Sequence, residues 1–168
     1  MAATARQCFR ESHGKGMAGR TGKPLMRALA FWDTSALVPL CVQQAITPRA
    51  VALHKIYDAA VWWATPVEIA SALARLLRMK QLDPSEWTKA RNLAKRLADS
   101  WFVIQSSDGL RAKAIQLVDR YDLRSADSFQ LAAALEWCED APQARIFLTT
   151  DQKLREAALL SGFDAKLM

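Results

Sequence analysis

The strongest constraint on this chain is an alternation. Four short apolar runs of strand length, Leu29-Ala30-Phe31-Trp32, Val61-Trp62-Trp63-Ala64, Trp101-Phe102-Val103-Ile104 and Ile146-Phe147-Leu148, are separated by longer stretches of helical period. That pattern predicts an α/β domain with a mainly parallel sheet covered by helices. The intervening stretches open on helix-start signals. Thr47-Pro48 predicts a helix over 48–57 with Val51, Leu53 or His54, and Ile56 turned inward. Thr65-Pro66-Val67-Glu68 reads as a capping box ahead of Ile69, Leu73, Leu76 and Leu77. Asp83-Pro84-Ser85-Glu86 repeats that signal, Ser107-Asp108 opens a helix running to Tyr121, and another begins near Ser125. The last helix starts at Asp151 and is closed by Gly162, and Ala165-Lys166-Leu167 is expected as a short edge strand.

Charge divides the chain in two. The formal net charge is +6, but residues 1–27 hold six Arg or Lys against the single acid Glu11, while the other 141 residues contribute only +1. Four of the six glycines also lie in the first segment. Residues 1–26 therefore read as a flexible basic N-terminal tail, and residues 27–168 as the folded domain. Two origins for the tail stay open: translation starting at Met17 or Met26 with non-native residues upstream, or a basic arm that touches phosphates. Neither the tail nor the domain holds a secretory signal or a membrane-length apolar stretch, so a cytoplasmic protein with no membrane partner is expected.

The same reading narrows the chemistry. Cys8, Cys41 and Cys138 are odd in number and far apart, and the histidines are only His13 and His54. A zinc site, a Ser–His triad or a thiolate–His pair is not expected, and no glycine-rich phosphate cradle is present for a nucleotide cofactor. Four acids fall where a parallel sheet binds its ligands, outside the carboxyl ends of the strands. Asp33 follows the first apolar run, Glu68 lies in the opening turn of a helix, Asp127 near the start of the helix before the fourth run, and Asp151 three residues past Leu148. Each has a plain reading as a helix-capping or dipole-facing acid. Asp33 resists it, because a carboxylate at the end of a central strand is costly to bury without a partner or a cation. Converging carboxylates suit hard divalent ions such as Mg²⁺ or Mn²⁺, which activate water and stabilise the leaving oxygen in phosphodiester displacement.

Four segments carry a family resemblance: Phe31-Trp32-Asp33-Thr34-Ser35-Ala36-Leu37, Thr65-Pro66-Val67-Glu68-Ile69, Ser125-Ala126-Asp127-Ser128-Phe129-Gln130-Leu131, and Phe147-Leu148-Thr149-Thr150-Asp151. In order and placement they resemble the motifs of PIN domains, and the branch they look most like is the VapC-type toxins of toxin–antitoxin operons. The resemblance spans about residues 28–168. It implies a three-layer α/β/α fold with a five-stranded sheet, and a Mg²⁺- or Mn²⁺-dependent endoribonuclease acting on structured RNA such as tRNA or rRNA. It implies Asp33, Glu68, Asp127 and Asp151 as metal-coordinating catalytic acids. Ser35, or else Thr34, adds a hydroxyl that orients a carboxylate or water; for Ser35 a helix-start cap is the alternative. It also implies a cognate VapB-like antitoxin that packs into a hydrophobic groove, and a homodimer.

Two other functions stay open: a catalytically silent PIN-like module that binds RNA or protein, its acids serving as caps, and a processing nuclease with no antitoxin. Trp32, Trp62, Trp63 and Trp101 are expected in the core, whereas Trp87 and Trp137 on helices suit either core or partner contacts. Arg75, Arg78, Lys80, Lys89, Arg91, Lys95 and Arg96 form a basic stretch that is either a solvated face or an RNA-backbone contact.

Overall fold

The computed structural model describes residues 27–168. The tail over 1–26 lies outside the described residues. Twelve elements follow in order: β1 (Ala28–Trp32), α1 (Thr34–Cys41), α2 (Thr47–Ile56), β2 (Tyr57–Trp62), α3 (Thr65–Arg78), α4 (Pro84–Ala98), β3 (Phe102–Ile104), α5 (Asp108–Arg120), α6 (Ser125–Trp137), β4 (Ile146–Thr149), α7 (Gln152–Leu160) and β5 (Asp164–Leu167). The five strands form one sheet in the order β3-β2-β1-β4-β5, and every pairing is parallel.

Strand periodicity sorts the core into two layers. Phe31, Ala60, Trp62, Ile104 and Phe147 face α5, α6 and α7, where they meet Leu110, Leu117, Leu131 and Leu154. Ala30, Trp32, Ala59, Val61 and Leu148 face the other way, onto Leu37 of α1, Ile69 and Leu73 of α3 and Ala90 of α4. β1 is buried on both sides from Ala30 to Trp32, which explains why these residues are continuously apolar. Phe31 and Phe147 stack at 5.2 Å between ring centroids and fasten β1 to β4. Gly162 ends α7 at a φ of 103°, a conformation that suits a residue without Cβ.

Three local expectations are corrected. The second strand occupies Tyr57–Trp62 rather than residues 61–64. The register that pairs Ala30 with Ala59 and Phe31 with Ala60 uses the small residues before the tryptophans, and the Thr65-Pro66 helix start turns the chain at Trp63 and Ala64. Trp63 consequently leaves the core and is 53% exposed. Helix α2 buries only Ala50, with Val51 and Ile56 exposed, because it meets the rest of the domain along a narrow contact with α1 and β2. The capping box at Thr65 is absent: Ala64 precedes the helix with no side-chain cap, and the Glu68 N–H is taken by the Ala64 carbonyl at 3.1 Å. The similar signal at Asp83 and Glu86 does form a reciprocal capping box.

The strand order places a topological switch between β1 and β4. From β1 the chain moves through α1 and α2 toward β2, and from β4 through α7 toward β5 on the opposite side. The two connections diverge and leave a crevice at the carboxyl ends of these strands.

Candidate active site

That crevice is a cleft of about 500 Å³, and Asp33, Glu68, Asp127 and Asp151 all line it. They come from four places in the fold: the end of β1, the first turn of α3, the first turn of α6 and the end of β4.

Asp33 is the most enclosed, at 5% exposure. Its backbone N–H donates to the Leu148 carbonyl at 2.9 Å, which ties the end of β1 to β4. Three donors meet at one carboxylate oxygen, Oδ2: the Ser35 N–H at 3.2 Å, the Thr149 hydroxyl at 2.9 Å and the Ser35 hydroxyl. The two hydroxyls are oriented in turn, since Ser35 Oγ accepts the Thr150 N–H at 2.9 Å and Thr149 Oγ1 accepts the Asp151 N–H at 3.0 Å. Each hydroxyl has a lone pair engaged by the β4 loop, so its proton is directed at Asp33. No hydrogen bond from the described residues reaches Oδ1.

Glu68 is held in the same manner. The Thr34 hydroxyl donates to its Oε2, and Gln130 Nε2 donates both to that oxygen at 2.6 Å and to Thr34 Oγ1 at 2.8 Å. Gln130 is buried and its two N–H groups are shared between these acceptors, so α6 fixes the position of an acid on α3. Again one carboxylate oxygen takes the protein's donors, and Oε1 has no hydrogen bond from the described residues.

Asp127 and Asp151 are looser. Asp127 is half-buried in the third position of α6 and makes no side-chain cap. Asp151 is exposed and caps α7, accepting the Leu154 N–H at 2.9 Å. The capping reading therefore holds for Asp151 and for Asp33, which begins α1, and the capping box fails for Glu68; Asp127 makes no side-chain cap but does lie in the first turn of α6, facing the helix dipole. Ser35 is not the α1 cap; it links Asp33 to the loop after β4.

Burial pushes the Asp33 carboxyl up to about 6, against the lowering effect of its Ser35 and Thr149 bonds, and Glu68 adds to the rise. Asp127 is also raised, first by burial and then by the neighbouring Asp151, while Arg124 opposes the shift. Arg75, two turns beyond Glu68 on α3, is the one basic side chain among the described residues that lines the cleft.

No group of three or more His, Cys, Asp or Glu side chains among the described residues is gathered closely enough to cage an ion. A hydrated Mg²⁺ asks for less, because it keeps several of its waters and takes one or two carboxylates. The donor set fits that requirement. It is all oxygen, Asp33 and Glu68 each keep an oxygen without a protein donor, and the buried Asp33 charge is unfavourable until a cation offsets it.

Two residues of this site carried no sequence expectation, Gln130 and Thr149. Gln130 offered a signal, being a polar side chain three residues from Asp127 within the apolar stretch of α6. Thr149 offered none, since a threonine ending a strand is ordinary.

No protein-family model matches the chain, and no curated protein sequence matches it. Among solved structures, the chain is similar to a toxin–antitoxin complex from Klebsiella pneumoniae, with a TM-score of 0.55 and 16% identity, covering 74% of this chain and 88% of that one. It is also similar to FitAcB from Neisseria gonorrhoeae, with a TM-score of 0.58 and 17% identity, covering 81% and 97%. The five-stranded parallel sheet flanked by helices is a PIN-like fold. No helix among the described residues is long and apolar enough to cross a membrane.

Proposed function

We propose that this protein is a divalent-metal-dependent endoribonuclease acting as the toxin of a toxin–antitoxin pair. The observation that carries the reading is the convergence of four acids, from four separate elements, on one cleft at the switch point of the sheet. Asp33 and Glu68 would hold a hard divalent cation through their free oxygens, and Asp127 and Asp151 would complete the negative wall opposite. Bound Mg²⁺ or Mn²⁺ supplies a Lewis acid for phosphodiester hydrolysis. The chain's own contribution is orientation: Ser35 and Thr149 fix Asp33, Thr34 and Gln130 fix Glu68, and the rigid sheet end keeps both in place without the substrate. Arg75, which lines the cleft, would meet a phosphate of a structured RNA entering it.

A toxin role with an antitoxin partner is supported by the similarity to a structure that is itself a toxin–antitoxin complex. A cytoplasmic VapC-like homodimer held by a VapB-like antitoxin is the specific form of this proposal. The deciding measurement is cleavage of tRNA and rRNA with Mg²⁺ or Mn²⁺ by the wild type and by Asp33→Asn. Equal rates for the two proteins would overturn it.

A second reading, a PIN-like module that binds without cleaving, draws on the lack of a closed three-acid cage among the described residues. The two readings part on thermal stability, because a cation bound only to the folded state raises the Tm by mass action. A Tm that does not move in millimolar Mg²⁺ or Mn²⁺ favours the silent module.

A further inference from the structure

Beside the acid cleft, at the same end of the sheet, lies an aromatic recess that the acids leave unexplained. Trp63 is 53% exposed directly after β2, yet it is not loose. It stands edge-on to buried Trp62, with ring centroids 6.2 Å apart and planes at 70°. Trp62 is clamped on its other contact by Phe129, stacked at 5.4 Å with planes 4° apart. The recess holds about 350 Å³, and its rim carries Ser106, Ser107, Asp108 and Arg111.

Two features join this recess to the cleft. β1 and β2 are neighbours whose ladder runs as far as Phe31 and Ala60, and Asp33 and Trp62 each lie two residues further on, so both stand at the carboxyl ends of adjacent strands. Helix α6 serves both sites, sending Asp127 and Gln130 to the cleft and Phe129, which lies between them in sequence, to the aromatic stack. A volume of this size suits one ring system rather than an extended peptide, and a braced indole with a hydroxyl and guanidinium rim suits a flat, polar-edged ring. Among the described residues Arg111 pairs with Asp108 at 3.1 Å, an exposed contact that solvent screens and that a phosphate or base edge can replace.

We propose that Trp63 and this recess bind an unpaired nucleobase of the RNA strand next to the phosphodiester held in the acid cleft. The recess then selects substrates with a flipped or single-stranded nucleotide at that position. This rests on the nuclease reading of the cleft, and the test separates the two.

Binding is measured by anisotropy with short labelled single-stranded RNA, in an Asp33→Asn background, for the parent and for Trp63→Ala and Trp63→Phe. The same RNA is then supplied with one abasic residue at each position in turn. The expected result is a 5- to 100-fold loss of affinity for Trp63→Ala, about the range for one stacked base, and recovery of most of it in Trp63→Phe. One abasic position should cause the same loss in the parent and no further loss in Trp63→Ala. Unchanged melting temperatures identify the effect as local, as expected for an exposed side chain. Equal affinity of Trp63→Ala and the parent, or no RNA binding by either, overturns the proposal, as does an abasic effect that persists undiminished in Trp63→Ala. RNA cleavage by the otherwise native chain is followed in parallel: binding with the stated coupling but no cleavage leaves the base site standing and removes the nuclease reading.

Discussion

The four acids of the cleft form two pairs of different construction. Asp33 and Glu68 are each gripped through one oxygen by side chains from other elements, whereas Asp127 makes no cap and Asp151 bonds only its own helix. The inner pair is ordered before any ligand arrives, and the enclosure that orders Asp33 also makes its charge unfavourable. The outer pair is held more loosely, Asp127 half-buried and Asp151 exposed. A site built this way puts its desolvated charge where position matters most and leaves its mouth easier to reshape.

The largest effect expected from this division is on cleavage. Asp33→Asn and Glu68→Gln should each lower the rate constant by about 10³-fold, with little change in shape, because the amides can still accept the same donors. Rates within tenfold of wild type would erase the distinction between the pairs. Next in size is a stability change of opposite sign. In metal-free buffer near pH 7, Asp33→Asn should melt higher than wild type, by up to about 3 kcal/mol of unfolding free energy, since the neutral amide avoids the desolvated charge. The pH dependence follows from the sign of the shift. Well below the unfolded value of 3.8, at about pH 2 to 3, the carboxyl is largely neutral in both folded and unfolded chains and the two proteins differ little. As pH rises toward about 6, the unfolded chain ionises first and wild type loses stability relative to Asp33→Asn. Chemical denaturation of both proteins across that interval measures the gap, and a gap that closes with rising pH would contradict the burial argument.

Smaller effects are expected outside the inner carboxylates. Removing a supporting donor, as in Thr149→Val or Gln130→Leu, should weaken divalent-ion binding by about 10- to 100-fold, readable by calorimetry. Asp127→Asn should cost about tenfold in cleavage and leave stability unchanged or slightly raised, because its own carboxyl is pushed up by burial. The smallest change is Asp151→Ala, where loss of the α7 cap should cost about 1 kcal/mol in stability. If Asp151→Ala left stability untouched while abolishing cleavage, the outer pair would be no more adaptable than the inner one.

Much of this was visible in the sequence, for reasons that differ from residue to residue. Asp33 could be picked out because a charge ending an apolar run is improbable without a purpose. Glu68 was ambiguous, since Thr-Pro-Val-Glu is also a standard helix start; only the absence of that cap and the reach of Gln130 from α6 separate the readings. Trp63 was misplaced because Val-Trp-Trp-Ala has the composition of a strand, and nothing local says that the ladder stops at Trp62. Helix α2 shows the same limit: its apolar residues have helical spacing, but the fold leaves Val51 and Ile56 in solvent.

The boundary between the two kinds of knowledge follows chain separation. Helix starts at Asp83 and Ser107, the closure at Gly162 and the apolar runs of β1, β3 and β4 depend on neighbours within about one helical turn, so the amino-acid order carries them directly. The Thr149 bond to Asp33 spans 116 residues and the Gln130 bond to Glu68 spans 62. Which oxygen of each acid stays open, which tryptophan faces solvent and which helix serves two sites are settled only when β4 docks beside β1 and α6 lies across the sheet. Packing between distant segments decides them, and no local pattern encodes it.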